Sequence, residues 1–401
     1  MAMSIEVLAV LIVVFTAPLL ADLALCIAGN FLMARSGRGP GRRTIRLAVV
    51  SPAHNEAWLI ARTVESVLAS DSATEVFVVA HNCTDETAAE AAAAGATVLE
   101  LNDPKQRGKG TALRHGFAAA LASGADALMV IDADSVASAG LIAATRTALE
   151  AGAEATQCRY ELDLEGASSP MARLRSIAFL GMNVLRARGR AGLGFSTGVF
   201  GNGFAVTAGT LARVPFDVDG LTEDVEYHTR LAEAGVRVHW VGDGAVHAGL
   251  AAPGQAQAAQ EARWEGGRLS VASRCTPRLT RAIFKGNWRA METLADVWSL
   301  PLSRVLVALV LGFALPCHWL HFYTAAGAAI VLCYVLEAAL MGAEPWRNLA
   351  ALAAAPTYIL WKAAITPLVV RQSRSGAAWV RTSREAPLPW PRLPRPAAMK
   401  R

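Results

Sequence analysis

The sequence lacks paired cysteines. Its six cysteines show no paired spacing, and Cys26, Cys317 and Cys333 lie inside apolar segments. This usage argues against a disulfide framework and against a cysteine-based zinc site, because both need cysteines at regular spacings. It is typical of a protein whose cysteines stay in a reducing, cytosolic compartment.

The sequence also lacks a basic stripe interleaved with aromatic residues, so it predicts no nucleic-acid partner. Lys and Arg together number 38, against 33 for Asp and Glu, which is a modest excess. The basic residues cluster beside two apolar regions, at Arg35, Arg38, Arg42, Arg43 and Arg46 after the first and at Arg371, Arg374 and Arg381 after the last. Such clusters are typical of cytoplasmic flanks that attract anionic lipid headgroups.

A basic stretch ahead of the first apolar region is missing as well. Val7–Ala21 is uncharged, Asp22 interrupts the run, and Leu23–Met33 continues its apolar character. A cleaved signal peptide would carry positive charge before the segment, whereas here the charge follows it. We therefore predict a retained transmembrane helix over 1–34 with its N-terminus outside, and we place Asp22 at a helix-packing face or a bend.

The second apolar region occupies 301–371. Val305–Phe322 and Thr324–Met341 are predicted to be two spans. Leu349–Val370 contains Lys362 and two prolines, and a third span here would leave a basic tail outside. We therefore predict an interfacial or re-entrant element, a total of three crossings, and a cytosolic Pro-rich tail over 372–401.

Between these regions, short apolar runs alternate with helical patterns. The runs are Ile45–Val50, Val76–Ala80 and Ala127–Ile131, and helices are expected at Glu56–Ala69, Asp85–Ala94, Thr111–Ala122 and Ala139–Ala151. Continuous apolar runs of this length predict buried, mainly parallel strands, so 44–282 is predicted to be one α/β domain. Ligands of such open sheets bind just outside the carboxyl ends of the strands.

Two later stretches, Pro170–Arg190 and Ile283–Trp298, are amphipathic with basic faces. Either could be an ordinary surface helix of the domain. Because such faces suit the headgroup plane of a membrane, we also consider an interfacial location for both, and we favour it for 283–300, which leads into a spanning segment.

Acidic and basic residues follow the predicted strands. Asp132 and Asp134 come directly after the third run, and alternate residues of an extended chain point the same way. Their carboxylates suit Mg²⁺ or Mn²⁺, ions that complete their coordination with substrate phosphates. Upstream, Lys109 between two glycines offers a point charge for a phosphate. The alternatives are a chance acidic turn and a flexible glycine turn.

Two further motifs lie downstream. Thr222 is expected to cap a helix whose first turn carries Glu223 and Asp224. Gln260, Arg263 and Trp264 stand at i, i+3 and i+4, so they share one helix face. Taken alone, these motifs also fit a capped helix start and a surface helix with a half-buried tryptophan.

Together and in this order, the motifs resemble those of the membrane-embedded family 2 glycosyltransferases, which include cellulose, chitin and hyaluronan synthases. The resemblance covers roughly Leu47–Leu269, with a fainter echo at Trp379-Val380-Arg381-Thr382. It implies a GT-A-type α/β fold: a mixed, mainly parallel sheet with helices on both faces, flanked by transmembrane helices.

The resemblance also implies residue roles. Asp224, with Glu223 beside it, would be the catalytic base, and Asp134 with Asp132 would hold the metal. Trp264 would offer a flat surface to an acceptor sugar. The donor-binding residues would be Pro52, His54, Asn55, Glu56, Asp85, Lys109, Asp132, Gln260 and Arg263. His81 departs from the family, which often has an acid at or beside this position, so a uridine donor is not specified.

We therefore expect a metal-dependent, inverting hexosyltransferase of the cell (inner) membrane with a cytosolic catalytic domain. It would move a sugar from a nucleotide-diphosphate sugar to a growing cell-surface or extracellular polysaccharide, with Mg²⁺ or Mn²⁺ as cofactor. The alternatives are transfer of one sugar to a lipid or lipid-linked acceptor, and an inactive membrane scaffold for another synthase. An oligomer or a polysaccharide-export partner is left open.

Overall fold

The computed structural model describes residues 2–33, 44–106, 108–163, 169–218, 220, 222–250 and 254–373. Within them, the strands are β1 (Leu47–Ala53), β2 (Glu75–His81), β3 (Thr97–Leu101), β4 (Ala127–Val130), β5 (Ser135–Ala137), β6 (Ala155–Asp163), β7 (Phe204–Thr207) and β8 (Val238–Gly249). The helices up to residue 233 are α1 (Ala2–Met33), α2 (Ile60–Ser70), α3 (Thr87–Ala93), α4 (Lys109–Ala122), α5 (Leu141–Glu150), α6 (Pro170–Leu180), α7 (Arg186–Gly192), α8 (Ala208–Arg213) and α9 (Glu223–Glu233). The remaining helices are α10 (Gln255–Phe284), α11 (Trp288–Trp298), α12 (Leu302–Ala314), α13 (His318–Met341), α14 (Pro345–Ala351), α15 (Ala355–Ala364) and α16 (Thr366–Gln372). A π-helical turn at Gly181–Leu185 joins α6 to α7, and a 3₁₀ turn at Leu352–Ala354 joins α14 to α15.

All eight strands form one sheet in the order β3-β2-β1-β4-β7-β6-β8-β5. The first four of these strands are parallel to each other. β7 is antiparallel to both of its neighbours, β5 is antiparallel to β8, and β6 and β8 are parallel. The mixed α/β fold predicted from the sequence is therefore confirmed.

Each face of the sheet has its own apolar core. Val49 and Met129 pack with α2 and α5 on one face, and the neighbouring residues Val50 and Val130 pack with α4 and α9 on the other. Successive strand residues point to opposite faces, which explains why these runs are apolar throughout. This packing places the carboxyl ends of β1, β2 and β4 at one edge, where the motif residues emerge.

Three of the four predicted helices begin later than the patterns indicated, whereas α4 begins two residues earlier, at Lys109. The first was expected from Glu56, but α2 starts at Ile60, because the carbonyl of Glu56 accepts hydrogen bonds from the amides of Leu59 and Ile60 in a preceding turn. Such shifts of a few residues are ordinary at helix ends.

Two helices of the described chain are long and apolar enough to cross a membrane: Ser4–Leu32 within α1, and α13. The number rises to as many as four if two bent helix pairs are each taken as one span. The bounds predicted for the span Val305–Phe322 are wrong. α12 ends at Ala314, and Phe322 belongs to α13, because Pro316 lacks an amide hydrogen and disfavours helix at the residue before it.

The basic side chains of Pro170–Arg190 are turned towards other parts of the protein, so they do not support a headgroup-plane location. The four arginines Arg173, Arg175, Arg186 and Arg190 are buried, and each forms an ion pair inside the protein. The second amphipathic stretch is divided, because α10 runs on to Phe284 and α11 starts at Trp288.

Several sequence predictions lie outside the described residues. These are the basic residues from Arg35 to Arg43, the motif Trp379–Thr382 and the Pro-rich tail.

Candidate active site

A lysine-centred cluster lies at the carboxyl end of β4. Lys109 opens α4 after Gly108, whose φ of 101° favours glycine. Its Nζ lies 2.6 Å from Asp132 Oδ1 and 3.6 Å from Glu223 Oε1, and it donates to the Gly201 carbonyl at 2.7 Å. Burial lowers the pKa of this ammonium group, but the carboxylates of Asp132 and Glu223 outweigh it and raise the pKa above its usual value. Lys109 is thus a fixed positive charge that joins three distant parts of the chain.

Asn202 supports this cluster and was missed by sequence reasoning. Its Oδ1 accepts from the Asp132 amide at 3.1 Å, and its Nδ2 donates to Ser135 Oγ at 2.8 Å. The Gln157 amide donates to the Asn202 carbonyl at 2.8 Å, and both side chains are fully buried. The one sequence signal was the pair of glycines around Asn202, which have positive φ and let the chain turn beneath Asp132.

Glu223 and Asp224 begin α9 and face the same cluster. A Cβ on Gly201 would lie 3.2 Å from Asp224 Oδ2, so this carboxyl packs against the glycine turn. Burial, together with the charge of Asp224, raises the pKa of Glu223 to about 7. Burial also raises the pKa of Asp224. A carboxyl group tuned in this way can exchange a proton near neutral pH.

The predicted cap by Thr222 is wrong. Its buried hydroxyl makes no hydrogen bond at the start of α9. Instead the side chain packs against α10, where a Cβ on Gly267 would lie 2.5 Å from Thr222 Cγ2.

α10 brings Arg263 to the carboxylates. Burial lowers the pKa of its guanidinium, against the charges of Glu223, Asp132 and Asp224, which raise it. Gln260 shares this helix face, but its Oε1 accepts from Arg175 Nη2 at 3.2 Å. The side-chain carbonyl of Gln260 therefore already accepts a hydrogen bond from within the protein.

Trp264 belongs to a row of aromatic rings. Its ring centroid lies 6.2 Å from that of Phe179, which meets Tyr160 edge-on at 4.8 Å. Asn202 lies beside the Tyr160 phenol and favours its ionised form, although burial raises the pKa of Tyr160 to about 12. Phe179 and Tyr160 were not predicted, because nothing in their local sequence distinguishes them from ordinary core residues. The row links Trp264 to the glycine turn.

The loops after β1 and β2 are tied to each other. Asn55 and Asn82 both have positive φ, of 56° and 52°. Asn55 Oδ1 accepts from the Thr84 amide at 2.7 Å, and His54 Nδ1 donates to the His81 carbonyl at 2.8 Å. These bonds give the two loops a fixed shape at the strand ends.

Asp85 holds the same loops together. Its Oδ2 accepts from the Ala57 amide at 3.2 Å and its Oδ1 from the Thr87 amide at 3.1 Å. The Glu56 amide donates to Thr87 Oγ1 at 2.8 Å, and Pro52 lies within β1, paired with Val79. Asp85 therefore stabilises the conformation of these loops, in addition to any contact with a ligand.

His81, where the resemblance leads one to expect an acid, is buried. Its Nε2 donates to the Gln106 carbonyl at 2.9 Å. Burial lowers the pKa of this imidazole, so it is neutral at pH 7 and adds no charge to the site.

The two aspartates after β4 fit a hard divalent cation. Both carboxylates are partly exposed, Ala133 between them is buried, and the Ser135 amide donates to the Asp132 carbonyl in a turn after β4. Lys109 already shows that this edge attracts positive charge. Mg²⁺ and Mn²⁺ need only one or two carboxylates when phosphate oxygens complete the shell. Among the described residues, no group of three or more His, Cys, Asp or Glu is arranged for a metal, so the protein would supply only part of that shell.

A mixed sheet with acidic, lysine and arginine side chains converging at the end of a central strand defines a GT-A-type glycosyltransferase. The family model described as "Glycosyltransferase like family 2" matches residues 45–267, more than half of the chain, and the chain belongs to this family. The enzyme class expected from the sequence is therefore confirmed.

One solved structure supports this fold at a TM-score above 0.5. The chain is similar to the mannosyltransferase PcManGT from Pyrobaculum calidifontis, in complex with GDP-Man and Mn²⁺, at a TM-score of 0.51 and 20% identity, covering 89% of this chain and 99% of that one. It is also similar to glucosyl-3-phosphoglycerate synthase from Mycobacterium tuberculosis, in complex with Mn²⁺, UDP-Glc and phosphoglyceric acid, at a TM-score of 0.38 and 20% identity, covering 58% and 80%. The search of curated proteins gave no match.

Proposed function

We propose that this glycosyltransferase is an inverting enzyme that uses a nucleotide-diphosphate sugar and works at the cytosolic face of a membrane. The observation that carries the proposal is the convergence of Lys109, Asp132, Glu223, Asp224 and Arg263 at one sheet edge. Two cations facing three carboxylates suit a reaction in which a diphosphate leaves and a hydroxyl loses its proton.

Asp224 is the proposed base. An acceptor hydroxyl would attack the anomeric carbon in line, its proton would pass to Asp224, and the bond from that carbon to the diphosphate oxygen would break. One in-line displacement inverts the anomeric configuration, so an α-linked donor would give a β-linkage. The burial that raises the pKa of Asp224 makes it a better proton acceptor than an exposed aspartate.

Lys109 and Arg263 would hold the donor diphosphate by charge, since both face the carboxylate cluster. Asp134 and Asp132 would hold Mg²⁺ or Mn²⁺, which would supply further charge stabilisation for the leaving group. The fit of the two aspartates supports this assignment, and the similar mannosyltransferase structure contains Mn²⁺. The tied loops that carry His54, Asn55 and Glu56 would bind the nucleoside.

Polysaccharide assembly is the proposed pathway, with the acceptor sugar placed on Trp264. The two long apolar helices support a membrane location. The second candidate, transfer of one sugar to a lipid-linked acceptor, is favoured by the same membrane part, because the described residues offer only two to four candidate spans to line a sugar-wide pore.

A panel of labelled nucleotide sugars tests the proposal. Purified full-length chain in lipid should transfer sugar from at least one donor in the presence of Mn²⁺, with inverted configuration, and EDTA should abolish transfer. Long products at early times indicate a polymer, whereas a single added sugar that never lengthens indicates the lipid-acceptor alternative.

Asp134→Ala provides the matched variant for the metal. It should lose metal-dependent donor binding, while Asp217→Ala, which changes a carboxylate with a side-chain exposure of 76%, should behave like the wild type. Full activity after exhaustive chelation would contradict the metal assignment, and a retained configuration would contradict inversion.

A further inference from the structure

A set of ion pairs lies beside Gln260 on α10, next to the active site. Lys362 on α15 lies between two glutamates of α10, with its Nζ 2.7 Å from Glu261 Oε2 and 2.6 Å from Glu265 Oε1. The three side chains are only 11–13% exposed. The two glutamates stand at i and i+4, on either side of the turn that carries Arg263.

Two more cations complete this set. Arg304 at the start of α12 lies 2.8 Å from Glu265 Oε2, and Arg175 on α6 lies 3.7 Å from Glu261 Oε1. Arg175 also donates to Gln260 at 3.2 Å. We call Lys362, Glu261, Glu265, Arg304 and Arg175 the α10 clamp, because it ties α10 to three other helices.

A pair of glycines lies next to the clamp. A Cβ on Gly266 would lie 2.6 Å from the Val369 carbonyl of α16, and a Cβ on Gly267 would lie 2.5 Å from Thr222. Each glycine inside a helix costs about 1 kcal/mol relative to alanine, so two in succession need a packing reason. These two contacts pack α10 against α16 on one side. On the other side they pack it against the segment that leads into Glu223 and Asp224.

We propose that Lys362 is a positioning residue for the reaction. Its double ion pair, with the close contact at Gly266, sets where α10 lies against α15 and α16 and therefore where Arg263 lies relative to Lys109 and Asp132. The C-terminal helices thus act on the donor site through α10. This proposal rests on the donor role given to Arg263 under the proposed function.

Lys362→Met tests this role. Loss of hydrogen bonds to charged groups of this kind should lower nucleoside-diphosphate affinity and raise the donor KM about tenfold or more. Lys362→Arg should restore most of the affinity, because a guanidinium can still bridge two carboxylates. Arg173→Met is the matched control. It removes a neighbouring ion pair, to Glu344 at 2.6 Å, that does not involve α10, and it should leave the donor KM near the wild-type value.

Gly266→Ala provides a second test that does not change charge. The added methyl group would press on the Val369 backbone and should cause the same loss of nucleoside-diphosphate affinity. Gly209→Ala, in the open on α8, is its control and should have no effect, because nothing lies within 4 Å of its Cβ position. Equal loss in Arg173→Met and Lys362→Met would show a general folding defect and overturn the proposal.

Backbone hydrogen exchange separates this proposal from the proposed function. Lys362→Met should increase exchange over 260–268, whether or not the wild-type chain transfers sugar. Wild-type exchange there in the variant overturns the positioning role, whereas absence of transfer by the wild-type chain contradicts only the proposed function.

Discussion

Glu223 and Asp224 are adjacent, partly buried carboxylates, and Lys109 and Arg263 compensate their charges. Asp224→Asn keeps the shape of the side chain and removes the base. We expect transfer to fall by about two to four orders of magnitude, with donor binding nearly intact. The control is Glu226→Gln on the same helix, whose carboxylate pairs with Arg230 and Arg274 instead. Wild-type turnover by Asp224→Asn would disprove the assignment.

The assignment of Asp224 as the base also predicts how kcat/KM depends on pH. Asp224 must be ionised to accept a proton, so its raised pKa predicts that kcat/KM falls on acidification at a higher pH than an exposed aspartate would give. Glu223→Gln removes the neighbouring negative charge, so Asp224 should ionise at lower pH and the acid limb should move down. An acid limb that stays in place or moves up in this variant contradicts the coupling.

Sequence reasoning found the charged residues of the site because each follows a recognisable element. Asp132 ends an apolar run, and Glu223 and Asp224 open a helical pattern. Asn202 and Gln157 carry no such signal, because their partners lie 70 and 45 positions away. Contacts at that separation depend on the sheet order, which no local pattern specifies.

At the scale of elements, α1 is bound to the catalytic domain along its second half. Asp22 lies 2.5 Å from Arg186 Nε and 2.7 Å from Arg190 Nη1. A Cβ on Gly29 would lie 2.0 Å from the Gly189 carbonyl, so α1 and α7 touch backbone to backbone. The prediction that Asp22 lies at a helix-packing face agrees with these contacts.

Asp22→Leu should destabilise the protein by about 1–3 kcal/mol, because two buried arginines lose a hydrogen-bonded partner while Arg186 keeps Asp296 and Arg190 keeps Glu292. The measurement is thermal unfolding in a fixed detergent. Glu75→Ala breaks the exposed pair with Arg46 and should cost at most about 1 kcal/mol. Equal stability of the two variants would show that Asp22 contributes no more than a surface charge.

The pattern of apolar residues predicts an element correctly where both faces of the sheet determine which residues are buried. β1, β2 and β4 are apolar because both faces are covered. The arginines of α6 and α7 were misjudged, because a basic face fits lipid headgroups and buried acids equally well. Arg186 pairs with Asp22, which is 164 positions away, so the sequence offered no local clue.

At the scale of the whole molecule, α1 and α13 run in the same direction. Trp319 Nε1 donates to Glu6 Oε2 at 3.3 Å, and Thr16 Oγ1 lies 2.7 Å from the Tyr323 hydroxyl. Both helices therefore start at the same side and run towards the catalytic domain. α12, whose first turn carries the clamp residue Arg304, would carry the chain the other way, although its 13 residues span only about 20 Å.

The segment after α13 begins and ends on the side of the catalytic domain. Glu344 pairs with Arg173 at 2.6 Å where the segment begins, and Val369 packs against Gly266 near its end. Lys362 lies between these two contacts, and its charge is paired with Glu261 of α10. Hydropathy alone therefore cannot distinguish a membrane span from a re-entrant element in this segment. These contacts favour the re-entrant element, with three crossings in total.

A reporter fused after Arg401 should therefore be active in the cytosol. The matched control places the same reporter in the turn between α12 and α13, after Leu315, where it should be active only outside. If the catalytic domain is cytosolic, as proposed, α13 ends on the cytosolic side, and an external signal after Arg401 would mean that 345–372 crosses the membrane. That outcome would also separate Val369 from Gly266, so it would contradict the packing of α16 against the motif helix as well as the topology.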